Sequence, residues 1–76
     1  MSERLAPMKP HVVLRKLSRA GFVEVHRRGS HSVLKNPETG RIVVVPTHRG
    51  RDIPRGTLYN IVVRQAGLSI EEFNAL

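Results

Sequence analysis

Apolar and polar positions along this chain follow two different periods, and the switches between them outline its elements. Over residues 10–19, Val13, Leu14, Leu17 and Ala20 recur at the three- and four-residue spacing of one helix face, with Arg15, Lys16 and Arg19 opposite. Pro10 suits a first helical turn, where its missing N–H has no partner to lose, and Gly21 supplies a left-handed stop. Three short strands are expected next, at residues 22–26, 31–35 and 41–45. A turn at 27–30 separates the first two, and the cluster Asn36-Pro37-Glu38-Thr39-Gly40 separates the second from the third. The third strand is rich in β-branched residues and stops at Pro46. A polar loop over residues 47–56 leads to a second helix at 57–66, whose stripe is Leu58, Ile61, Val62 and Ala66. Gly67 ends it. Ser69 and Glu72 have the spacing of a capping box, which predicts a short terminal helix anchored by Phe73.

The order α-β-β-β-α with a short C-terminal helix predicts an α+β fold: a three-stranded antiparallel sheet with both main helices on one face. Double-stranded-RNA-binding domains share that order, although order alone does not give function. Ile42 to Val45 is apolar on both parities. Either one row faces away from the helices, available to a partner, or the chain's own ends bury both sides. Residues 1–7 show no periodicity and are expected to form a flexible extension, leaving 8–76 as a single domain, with Met8 a candidate alternative start.

Composition narrows the class. The 76 residues include no cysteine, which excludes disulfide scaffolds, thiol chemistry and cysteine-based zinc sites. The first residues lack the apolar run of a signal peptide, and no stretch is long enough to span a membrane, so a cytoplasmic protein is expected. Thirteen Lys and Arg oppose six acids, a net charge of +7, and such a surface draws polyanions. The excess is concentrated over residues 26–55, where Arg27, Arg28, Lys35, Arg41, Arg49, Arg51 and Arg55 face only Glu38 and Asp52.

The three aromatic residues are too few for a base-stacking sheet, and Phe22 and Phe73 occupy core-like positions. Phosphate recognition remains. Arg49, Arg51 and Arg55, just before the second helix, are the leading candidates, joined by Arg27, Arg28 and Lys35. A solvated charged loop is the plainer alternative. The four histidines, His11, His26, His31 and His48, have no metal-ligand spacing, so no metal site and no cofactor is expected. His31 stands out. It follows Gly29-Ser30 at a tight turn and opens the second strand among cations. A neutral imidazole there could take the proton of an RNA 2′-hydroxyl, while neighbouring cations stabilise charge on the phosphoryl oxygens. A binding or surface histidine is the competing reading.

Taken in order, Lys9-Pro10, Ala20-Gly21-Phe22, Gly29-Ser30-His31, Val45-Pro46-Thr47-His48, Gly56-Thr57-Leu58 and Gln65-Ala66-Gly67-Leu68-Ser69 resemble the HicA toxins. The resemblance spans nearly all of residues 8–76. It implies a double-stranded-RNA-binding-domain-like fold and a toxin of a prokaryotic toxin–antitoxin system that cleaves messenger RNA and so arrests translation. It also implies a catalytic histidine at His31, supported by Gly29 and Ser30, and a HicB-type antitoxin that masks the site. Family members often carry an aromatic three residues after the histidine, where this chain has Leu34. The Pro-x-His element is present as Pro46-Thr47-His48, for which a loop-fixing or partner-binding role is expected. The competing functions are a non-catalytic RNA-binding module on the same fold and an interaction protein that binds another protein.

Overall fold

The computed structural model describes residues 4–76. Helix α1 (Pro10–Arg19) is followed by strands β1 (Val23–Arg28), β2 (His31–Lys35) and β3 (Ile42–Pro46), then by helices α2 (Arg55–Tyr59) and α3 (Ile70–Asn74). The strands form one antiparallel sheet in the order β1-β2-β3. This is the expected α+β arrangement.

Strand pairing fixes which side chains share a face. Ser32 stands opposite Val45 and Leu34 opposite Val43, and all four are buried. Val13 and Leu17 of α1 join Ile61 and Val62 in the same cluster, so both helical segments cover this one face. The alternate row, His31, Val33 and Lys35 of β2 with Ile42 and Val44 of β3, points the other way. Ile42 and Val44 are 53% and 39% exposed, so the doubly apolar strand has an open face rather than two buried ones.

The boundaries differ from expectation in informative ways. β1 begins at Val23 because Phe22 turns into the core, and it runs on through Arg28 because the hairpin closes in only two residues. Gly29 has φ +55° while Ser30 is not left-handed, the pattern of a type II′ turn with glycine at its first central position. The second helix starts earlier than expected, at Arg55. It then widens over Asn60–Gln65 into π-type winding, in which the Ala66 amide donates to the Ile61 carbonyl at 2.8 Å. The wide turn keeps Ile61, Val62 and Ala66 in the core and brings Gln65 to the sheet edge. There its Oε1 accepts the Val44 amide of β3 at 2.8 Å.

Two further expectations change. Of the stretch 1–7, residues 1–3 lie outside the described residues, but Leu5 is 2% exposed in the core and the Arg4 carbonyl accepts from Asn74 Nδ2 at 3.0 Å. A lone apolar residue has no period to reveal it. Lys16, expected on the solvated face of α1, is half-buried. Its Nζ donates to the carbonyls of Phe73 at 3.2 Å and Leu76 at 3.1 Å and lies 5.1 Å from the Phe73 ring centre. It thereby caps α3, whose own start carries the expected reciprocal bonds between Ser69 and Glu72.

Candidate nucleic-acid interface

His31 is the first residue of β2, exposed, on the open face of the sheet. Its direct cross-strand neighbours are Arg28 on β1 and Pro46 on β3. Such pairs lie about 5 Å apart at Cβ, so the Arg28 guanidinium can reach a group bound at the imidazole.

Arg28 rather than Arg27 holds this position because β1 is irregular between Glu24 and His26, where Val25 has no partner on β2. The bulge shifts the alternation by one residue, so Val23, His26 and Arg28 share the open face with His31, Val33 and Lys35. Regular alternation would have placed Arg27 beside His31. Arg27 instead faces the helix side, where it pairs with Glu24 at 3.0 Å. The Ser32 hydroxyl, fully buried, also donates to Glu24. That hydrogen bond, and then the Arg27 guanidinium, hold the Glu24 carboxyl below its usual range. Ser32 thus satisfies its hydroxyl one residue from His31 on the opposite face.

The loop after β3 folds back to the same end. The Thr47 amide donates to the Ser30 carbonyl at 2.6 Å, which ties the Gly-Ser-His turn to Pro46-Thr47-His48. A single 3₁₀ turn, His48–Gly50, then places Arg49 at φ +49°, a left-handed conformation uncommon for arginine. Pro46, His48, Arg51 and Asp52 line a cavity of about 230 Å³ at this end, and Asp52 is held by Lys9 at 3.2 Å. The exposed cations Arg28, Arg49 and Arg51 pair with no carboxylate among the described residues.

The expected phosphate-binding set is therefore divided. Arg28, Arg49 and Arg51 lie on segments that meet at the His31 end. Lys35 shares the open face but sits four residues along the strand, about 13 Å away. Arg27 is engaged by Glu24, and Arg55 lines a separate cavity with Arg4, Leu5, Gly56, Tyr59 and Ile70. Leu34, at the position where an aromatic was anticipated, is 3% exposed and points into the core, so no base stacks there. His26, without an assigned role in the sequence, joins the open face through the bulge. No sequence signal short of the bulge itself would have placed it there.

Among the described residues, no group of three His, Asp or Glu side chains is arranged to hold a metal ion, and no helix is long and apolar enough to cross a membrane. No curated protein sequence matches this one. A family model described as the HicA toxin of bacterial toxin–antitoxin systems matches residues 12–68, which include most of α1, the whole sheet, the Gly-Ser-His turn and the π-type segment. This match covers well over half of the chain, and the chain therefore belongs to the HicA toxin family, toxins that generally cleave messenger RNA and are paired with an antitoxin.

Proposed function

We propose that this toxin is a metal-independent endoribonuclease in which His31 activates the 2′-hydroxyl of messenger RNA, and that its partner is a HicB-type antitoxin. The observation that carries the reading is the position of His31: exposed, at the rim of the open face, directly opposite Arg28 and beside the loop bearing Arg49 and Arg51. The imidazole takes the 2′-hydroxyl proton, and the 2′-oxygen attacks the adjacent phosphorus. The bond to the 5′-oxygen breaks, and that oxygen leaves with a proton from solvent or a neighbouring acid. The products are a 2′,3′-cyclic phosphate and a 5′-hydroxyl. Arg28, Arg49 and Arg51 stabilise the charge that builds on the phosphoryl oxygens and hold the flanking phosphates.

The same face suits masking by the antitoxin. Val23 and Ile42, 57% and 53% exposed, flank Lys35 at the far end of this face, and Val44, 39% exposed, lies between that end and His31, so a protein that spans the whole apolar strip reaches His31 as well.

The test is cleavage of a defined RNA by the purified protein and by His31→Ala, with end-group analysis, in buffer with and without excess EDTA. Wild type should give cyclic-phosphate ends in both buffers, and the variant should bind RNA without cutting it. Cleavage by His31→Ala at the original rate overturns the role of His31, and activity that chelation abolishes and magnesium restores overturns the metal-free mechanism. RNA binding without cleavage by the wild type would leave a non-catalytic RNA-binding module.

A further inference from the structure

The second cavity, of about 350 Å³, lies away from His31, between the start of α2, the segment before α1 and the start of α3. Leu5 and Ile70 supply apolar lining. Tyr59, 43% exposed, lines the cavity as well, together with Arg4 and Arg55. Neither guanidinium pairs with a carboxylate among the described residues. Gly56 leaves open space where a side chain would project, and its backbone is not left-handed.

We propose that this cavity is a nucleotide-binding site that takes one base against Tyr59 and its phosphate between Arg4 and Arg55. A largely apolar cavity with an accessible aromatic ring in its lining fits a base, whose π-face stacks without regard to sequence. Two cations among otherwise largely apolar lining residues complement an anion attached to that flat group. A volume near the lower end of ligand cavities suits a single nucleotide rather than a longer segment. Tyr59 is the only tyrosine of the chain, so its ring resonances report this cavity alone.

The experiment is an NMR titration of the full chain with adenosine 5′-monophosphate. The Tyr59 ring signals should move upfield and saturate, and the amides of Leu5 and Gly56 should move with them. Adenosine, which lacks the phosphate, and ribose 5-phosphate, which lacks the base, should each bind more weakly than the nucleotide. Arg4→Gln combined with Arg55→Gln should weaken nucleotide binding by about tenfold, the loss of two charge-assisted contacts at a partly exposed site. Gly56→Leu adds a bulky apolar side chain to the lining and should abolish or strongly weaken the shift, with an unchanged amide spectrum elsewhere showing that it folds. Should it not fold, Tyr59→Leu, read through the Leu5 and Gly56 amides, makes the same test.

In the His31→Ala protein, a short oligoadenylate that moves the same signals more tightly than the mononucleotide assigns the site to a nucleotide of an RNA strand. Movement by the mononucleotide alone assigns it to a free nucleotide. The strand source rests on the RNA-cleaving reading, whereas the mononucleotide titration does not, so the two can fail separately. Tyr59 signals that do not move at millimolar nucleotide overturn the proposal. So does an acidic peptide that moves them where adenosine has no effect, since the cavity would then recognise charge without a base.

Discussion

Thr47 donates its backbone N–H to the carbonyl of Ser30 at 2.6 Å, a bond between residues seventeen apart in sequence that joins the hairpin turn before His31 to the loop after β3. Two motifs that are unconnected in the sequence thereby become one rim. His31 inherits a fixed position from the β2 ladder, and the loop that carries Arg49 and Arg51 is anchored beside it.

The division of arginines by face gives a direct test. In the His31→Ala background, which on the proposed mechanism preserves the substrate, Arg28→Gln with Arg51→Gln should flatten the plot of log affinity against log salt by about 1 to 1.5, from about 0.7 per phosphate contact on a single strand. Arg27→Gln should leave the slope nearly unchanged, because that guanidinium faces the helix side against Glu24. Equal effects of Arg27 and Arg28 in fluorescence-anisotropy titrations would contradict the face assignment.

Arg49 trades stability for position. A non-glycine residue in the left-handed region costs about 1 kcal/mol, and asparagine tolerates it better than arginine. Arg49→Asn should therefore raise unfolding free energy by about 0.5–1 kcal/mol in urea while weakening RNA binding. A destabilised variant would mean that the arginine side chain itself holds the loop.

Acid should weaken the β1–β2 hairpin through Glu24. Its carboxyl titrates below the ordinary 4.5 of a glutamate, first because Ser32 donates to it and then because Arg27 lies beside it. A depressed carboxyl contributes stability that is fully present above the unfolded value and is lost as pH falls through the folded one. Urea midpoints measured from neutral pH downward should thus fall below pH 4.5, and Glu24→Gln should flatten that decline. An identical acid limb in the variant would exclude Glu24 as its source.

Lys16 joins α1 to α3. Lys16→Met keeps the aliphatic stem but removes the ammonium that meets the Phe73 and Leu76 carbonyls and the Phe73 ring. A loss of about 1–2 kcal/mol is expected from the helix-end and cation–π contributions together. Thermal unfolding monitored by circular dichroism measures it, and a loss below experimental error would show the contacts to be incidental.

What the sequence determined by itself was whatever depends on neighbours along the chain. The stripe of α1, the turn chemistry of Asn36 to Gly40, the Ser69–Glu72 capping box and the basic excess around His31 are local patterns, and local backbone energetics act on them directly. Tertiary structure decided everything that depends on register and long-range contact. The bulge at Val25 moves one residue out of the ladder and exchanges the faces of Arg27 and Arg28, a choice that period-two reading cannot make because strand identity is unchanged while parity flips. Leu5 and Lys16 acquire their roles only because α3 packs against the chain's beginning and α1, and Arg55 leaves the His31 end for another cavity because α2 starts before the loop can return it. The kind of chemistry to look for was suggested by residue types, and which of the candidate residues lie together was decided by strand register and helix packing.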